Sequence, residues 1–283
     1  MNVGSTAVEP VKALRPPRGH RLAIGLALAV FGLASVFYVP AFTLVVMLIA
    51  VGSLWEFAEL STRKGTTLDY PVALVAVLAY LALTSLGLIH RWEGALLAAT
   101  VIVALGRVTL SSRGGYLARS GYTLLGVLYI GKLLSYFLTI RNVPGIGLPL
   151  TLYAVVLIAM TDIFCMVVGV LVGKTPLTRI SPRKTIEGAL GGLAVATLCG
   201  IAFALTPALH FLWWQGAAVG LLTSAAAQAG DFVESALKRD ARVKDAGSAV
   251  GGHGGVLDRF DSYIFGGVAF YGVLRLLELI PGR

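Results

Sequence analysis

The residues best able to do chemistry crowd into one short region, from Asp231 to Asp261. It opens with DFVESALKRDAR, which reads as a helix. At about 100° per residue, Asp231, Ser235, Lys238 and Arg242 fall within about 60° of one another. One face would carry a carboxylate, a hydroxyl and two cations, with Glu234 and Lys238 as a favourable i,i+4 pair. The run VKDAGSAVGGHGG follows, setting Lys244, Asp245 and His253 among glycines at 247, 251, 252, 254 and 255. Such glycines forbid a stable helix and let backbone approach a ligand closely, and successive N–H groups can point at an anion. LDRFD closes the region. Asp258 and Asp261, three apart, share a face on the first turn of a last helix. Paired carboxylates without thiols suit a hard cation, Mg²⁺ above all, which keeps waters and bridges to substrate phosphates. Plainer readings exist: a solvated helix with ion pairs, a linker, and acidic capping of a helix start. Capping accounts for one aspartate, hardly for both together with Asp231, Lys238 and Arg259.

A second polar segment is GKTPLTRISPRKTIEG, Gly173 to Gly188. Ser181-Pro182 predicts an N-cap followed by an N1 proline, so a helix is expected to start there. Lys174, Arg179, Arg183 and Lys184 cluster around it, and a helix N-terminus with cations nearby suits an anion. Ordinary basic loop residues are the competing account. Asp162 lies within an apolar run, where a carboxylate marks a functional site by default. Lys132 and Arg107, in neighbouring runs, could pair with it or bind a lipid phosphate.

The elements that hold these segments are membrane helices. Of 283 residues, 57% are hydrophobic and 13% charged, against roughly 25% charged in soluble domains. A spanning helix needs about 20 mostly apolar residues. Nine such runs are expected: 21–38, 41–59, 71–89, 94–110, 121–140, 148–172, 188–206, 209–229 and 262–280. The first reads as an uncleaved span behind a basic tail at 1–20. About five spans fill 21–147, and 148–283 is the catalytic region with polar segments at 173–187 and 230–261. With this count, 17 of the 23 Lys and Arg fall on one side and 3 on the other. The bias puts the N-terminus and both polar segments in the cytoplasm and the C-terminus outside. Eight of fourteen acidic residues lie between Asp162 and Asp261, which no topology rule asks for. A net charge of +9 then points to anionic lipid headgroups, not nucleic acid. Cys165 and Cys199 sit in apolar runs and read as core residues.

Ser235 to Asp261 closely resembles the signature of the phosphatidate cytidylyltransferases, also called CDP-diacylglycerol synthases. The serine, Lys238-Arg239, Lys244-Asp245, His253-Gly254-Gly255 and Asp258-Arg259-x-Asp261 fall at that family's spacing. RISPRKTIEG resembles its second conserved block, and Trp55-Glu56-Phe57 a weaker early feature. Gly251 and Val250 depart from the pattern, as does IFCMVVG after Asp162. The resemblance implies transfer of CMP from CTP to phosphatidate, giving CDP-diacylglycerol and pyrophosphate, at the cytoplasmic face of a multi-pass plasma-membrane protein. It implies Mg²⁺ or Mn²⁺, in a one- or two-metal site, held by Asp231 and Asp258 with Asp261 third. Lys238, Arg239, Lys244 and Arg259 would hold triphosphate or phosphatidate oxygens beside Ser235. Ser181, Arg183 and Lys184 would close the site, and His253 would orient phosphate or aid proton transfer. Membrane lipids are expected partners, as is a second copy in a homodimer. The weighed alternatives are a CTP-dependent lipid-alcohol kinase, which the full signature disfavours, and an ion-coupled transporter, which would spread charges over several midplane sites.

Overall fold

In a computed structural model, the described residues are 30–110, 114–178, 180–247 and 254–281. Among them the fold is all-α, without strands. After a helical stretch at 30–35 come α1 Val39–Arg63, α2 Tyr70–Ser85, α3 Ile89–Thr109 and α4 Tyr116–Arg141. Then follow α5 Gly147–Val172, α6 Ile186–Ala204, α7 Trp213–Asp240 and α8 Leu257–Leu276. Helix α4 contains a π-helical turn, Val127–Lys132.

Among the described residues, five helices are long and apolar enough to cross a membrane: α1, α3, α4, α5 and α6. Helix α2 is apolar but has 16 residues. Helix α7 runs unbroken from its apolar start into Asp231, Glu234, Lys238 and Arg239, so the expected span 209–229 and the first part of the polar segment are one helix. Helix α8 likewise begins with polar residues, Asp258 and Arg259. Half of the expected span 21–38, residues 21–29, lies outside the described residues.

Helices α5 to α8 form the closest-packed part. Gly200 on α6 and Gly216 on α7 face each other so closely that a Cβ on either would run into the other's carbonyl oxygen. Lipid supplies no hydrophobic drive between helices, so backbone proximity through small residues is the way such pairs gain contact. Tyr153 of α5 stacks on Phe203 of α6, with centroids 4.6 Å apart, and meets Phe270 of α8 edge-on at 5.0 Å.

Three expectations change. The helix does not start at Ser181-Pro182. Those residues form a turn closed by Lys184 N–H donating to the Ser181 carbonyl at 3.1 Å, a place that favours proline at its second position. The helix starts at Ile186, capped by Thr185, whose Oγ1 accepts from Gly188 N–H at 3.1 Å. Arg242 leaves the helical face it was expected to share. Helix α7 ends at Asp240, and Arg242 has φ +57°, with Val243 N–H donating to the Lys238 carbonyl at 2.9 Å. That is a Schellman end with arginine where glycine is usual. Lastly, Arg107 pairs with Asp69 at 2.7 Å and Lys132 with Glu93, so neither pairs with Asp162.

Candidate active site

The loop between α5 and α6 is held as a narrow hairpin. Leu177 N–H donates to the Lys184 carbonyl at 2.8 Å and Ile186 N–H to the Thr175 carbonyl at 2.9 Å. Glu187 accepts from Thr175 Oγ1 at 2.9 Å and from Lys174 N–H at 3.1 Å. This fixes the backbone of Lys184, whose ammonium meets the Asp231 carboxylate on α7 and lies 4.3 Å from the Phe232 ring centroid. Arg239 reaches the Ile180 carbonyl at 3.5 Å, a second tie between the loop and α7. The two polar segments, about fifty residues apart in sequence, thus meet.

Around Asp231 gather two more carboxylates. Ser262 Oγ donates to Asp162 Oδ1 at 3.0 Å, and Ser262 N–H donates to Asp261 Oδ1 at 2.6 Å. One serine therefore bridges α5 to α8. Gly230 makes the approach possible: a Cβ there would stand 2.6 Å from the Asp261 carbonyl oxygen. Asp261 is buried. Burial first, and then the charge of Asp231, push its carboxyl above the usual range. Carboxylates that repel one another in a dry place favour a cation between them.

A second group adjoins the first. The Lys238 ammonium contacts Glu234, four residues earlier on α7, and lies 2.5 Å from Asp258 Oδ1. Asp258 Oδ2 accepts from Ala246 N–H at 3.0 Å and Gly255 N–H at 2.7 Å. Burial works against the Asp258 charge, but bonds to Glu234, Lys238 and Gly255 N–H outweigh it and hold the carboxyl below its usual value. Glu234 is fully buried, and burial, then its bond with Asp258, raise it to about 9.

The expected residues thus divide. Lys184, Asp231 and Asp261 belong to the first group, Lys238 and Asp258 to the second. Ser235 is buried on α7. Ser181 is half-buried in its turn, while Arg183, Arg239, Lys244 and Arg259 are exposed. His253 and Arg179 lie outside the described residues. Four amides in and beside the glycine loop are taken up by carboxylates: those of Ala246 and Gly255 bond Asp258, and those of Val256 and Leu257 bond Glu56. Sequence reasoning noted Glu56 only within a weak early motif and offered Asp162 the partners Lys132 and Arg107, where the structure gives it Ser262. The usable signal in both cases was a carboxylate inside an apolar run.

Among the described residues, no three His, Cys, Asp or Glu side chains converge tightly enough to hold a metal ion alone. Lys238 and two amides occupy the oxygens of Asp258. The hard oxygens of Asp231 and Asp261 still fit Mg²⁺, an ion usually bound through one or two carboxylates and completed by water and substrate phosphate.

The model of the cytidylyltransferase family matches residues 19–277. The chain belongs to this family. Among its relatives, the phosphatidate cytidylyltransferase of Synechocystis is 31% identical over 289 residues, 92% of this chain and 96% of the relative. That of Bacillus subtilis is 42% identical over 159 residues, covering 56% of this chain and 59% of the relative. In Staphylococcus epidermidis the protein of the same name is 36% identical over 185 residues, 65% of this chain and 67% of the relative. This cytidylyltransferase-family chain is a membrane protein by its helices, and its polar side chains gather where α5, α7 and α8 meet the α5–α6 hairpin.

Proposed function

We propose that this chain is a phosphatidate cytidylyltransferase: a phosphatidate oxygen attacks the α-phosphorus of CTP, the bond to the β-phosphate oxygen breaks, and CDP-diacylglycerol and pyrophosphate result. The observation that carries the reading is the meeting of Lys184 with Asp231, which joins both motif-bearing segments beside two further carboxylates. Both reactants are anions, so the site must neutralise charge and align them. Lys184 and Lys238 sit where triphosphate or lipid phosphate oxygens would compete for them with Asp231 and Asp258. Arg183, Arg239, Lys244 and Arg259 supply further cations, and Ser181 and Ser235 hydroxyl donors. Asp231 and Asp261 would hold Mg²⁺ or Mn²⁺, as one ion or two. When bound, the metal screens phosphate charge and stabilises the leaving pyrophosphate. Asp258 keeps Lys238 in place and could join the metal once substrate draws Lys238 away. His253 is proposed to orient phosphate or aid proton transfer. The lipid phosphate needs little base, because its second pKa is about 6.

The proposed setting is the cytoplasmic face of the plasma membrane, in a nine-span chain with its N-terminus inside and C-terminus outside. The basic-residue bias supports it. CTP then arrives from water and phosphatidate from the leaflet. A homodimer is proposed with them, and no nucleic acid. The test is turnover by detergent-purified protein given phosphatidate, labelled CTP and Mg²⁺, with and without EDTA. Metal-dependent CDP-diacylglycerol and pyrophosphate are expected. CDP with a phosphorylated lipid alcohol would replace this reading by the kinase, and no turnover with any lipid would overturn it.

A further inference from the structure

Glu56 lies on α1, some two hundred residues before the helix it serves. Its side chain is 1% exposed. Its carboxylate accepts from Val256 N–H at 2.9 Å and from Leu257 N–H at 2.7 Å. These are the first amides of α8, which have no partner within the helix. A helix usually meets that need with its own N-cap side chain. Here the N-cap residue is Val256, which offers no acceptor. The carboxylate also complements the positive end of the helix dipole. Space is reserved for it: a Cβ on Gly247 or Gly255 would collide with its oxygens, and one on Gly52, a turn earlier on α1, would press on Val256 at 2.9 Å. The far end of α1 is tied as well, with Lys64 2.7 Å from Asp240, the last residue of α7. Helix α1 therefore grips the end of α7 and the start of α8, on either side of the segment that joins them. Asp258 and Asp261 stand two and five residues beyond Val256, on the turns that Glu56 fixes.

We infer that Glu56 is a positioning residue for the reaction proposed above: it holds the first turn of α8 so that Asp258 faces Lys238 and Asp261 faces Asp231. It touches no reacting atom. A displacement of about 1 Å at a catalytic group can lower turnover on the order of 10²-fold, so a loss of that size is expected in kcat for Glu56→Gln, which keeps the shape but supplies only one carbonyl acceptor. KM for CTP changes little, because Lys184 and the exposed arginines stay in place. Hydrogen exchange on the intact detergent-solubilised protein gives the second readout. The amides of 255–257 exchange faster in Glu56→Gln, while α5 and α6 keep wild-type protection. Glu56→Asp, shorter but still an anion, recovers part of kcat. The inference is overturned if Glu56→Gln keeps wild-type kcat beside an active wild type. It is also overturned if exchange rises equally in every helix, which would make Glu56 a general stabiliser. Should Glu56→Gln not fold, Glu56→Asp decides, and wild-type kcat in that variant counts against the inference. An inactive wild type would instead overturn the reaction on which the inference rests, so the two failures are distinguishable.

Discussion

Both halves of the molecule place charge among apolar helices, but they do it differently. In the N-terminal half, two carboxylates are each matched to a cation. Arg107 closes on Asp69 at 2.7 Å, and Lys132 closes on Glu93 with the Tyr80 hydroxyl on the same oxygen. The rings of Tyr80 and Tyr136 lie 5.4 and 5.2 Å from the Lys132 ammonium. In the C-terminal half, carboxyl groups crowd. Asp162, Asp231 and Asp261 act on one another with Lys184 among them, and Glu234 and Asp258 share Lys238. A matched pair makes a helix packing unique and asks for nothing more. A crowded set of carboxyls has an electrostatic deficit that a proton, a metal ion or both must fill. The difference separates charge used for folding from charge kept for chemistry.

Asp231→Asn would break the contrast most severely. It removes the carboxylate that meets Lys184, and kcat in the CTP assay should fall on the order of 10³-fold, as when a key electrostatic group is lost. The variant should still insert and melt like wild type. A kcat near wild type would place Asp231 among the merely structural pairs.

The proton on Glu234 sharpens the comparison through pH. Its folded pKa is raised from 4.5 to about 9, so between those values the folded state binds a proton that the unfolded state has released. Stability from this group is therefore present below about pH 4.5 and lost as pH rises toward 9. Glu234→Gln removes the titration. Melting temperatures of wild type should decline from pH 5 to pH 9 more steeply than those of Glu234→Gln, and parallel profiles would refute the buried proton.

Lys132→Met tests the other half. It leaves Glu93 with the Tyr80 hydroxyl but without its cation, a loss of about 1 kcal/mol for a half-buried ion pair. Melting should drop by several degrees while kcat per folded molecule stays within about twofold, since matched pairs do not serve catalysis. A large fall in kcat at unchanged melting would erase the distinction between the halves.

The smallest effect is expected at the end of α7. Arg242 adopts φ +57°, a conformation that costs a non-glycine residue roughly 1–2 kcal/mol. Arg242→Gly relieves that strain but adds backbone freedom in the unfolded chain. A net gain below about 1 kcal/mol in chemical denaturation is expected, with activity retained because the side chain lies off the catalytic face of α7.

Much of this was written locally. Apolar runs such as 41–59 and 148–172 lie within α1 and α5, and 188–206 overruns the end of α6 by only two residues, because helix formation in lipid depends on the composition of each run alone. The motif from Ser235 to Asp261 also put forward Lys238, Asp258 and Asp261 as candidates, since its residue types and spacing are read without a fold. The ends of elements were less legible. Ser181-Pro182 carries the same signal for a turn as for a helix start, and the bond from Lys184 N–H decided for the turn.

Which partner each charge takes was decided by tertiary structure alone. Nothing in the spacing of Glu56 shows that it caps α8, of Lys184 that it meets Asp231, or of Asp162 that it shares Ser262 with Asp261. The contacts of Leu257 with Glu56 and of Ser262 with Asp162 join residues 201 and 100 apart, and their geometry follows from how closely the helices pack. That closeness rests on a few glycines, among them Gly200 against Gly216 and Gly230 against Asp261. The sequence by itself determined a helical membrane protein with a nucleotidyl-transfer motif. Packing decided which carboxylates are paired and which are left crowded, because a side chain's charge is local while its neutralisation depends on what the fold brings within a few ångströms.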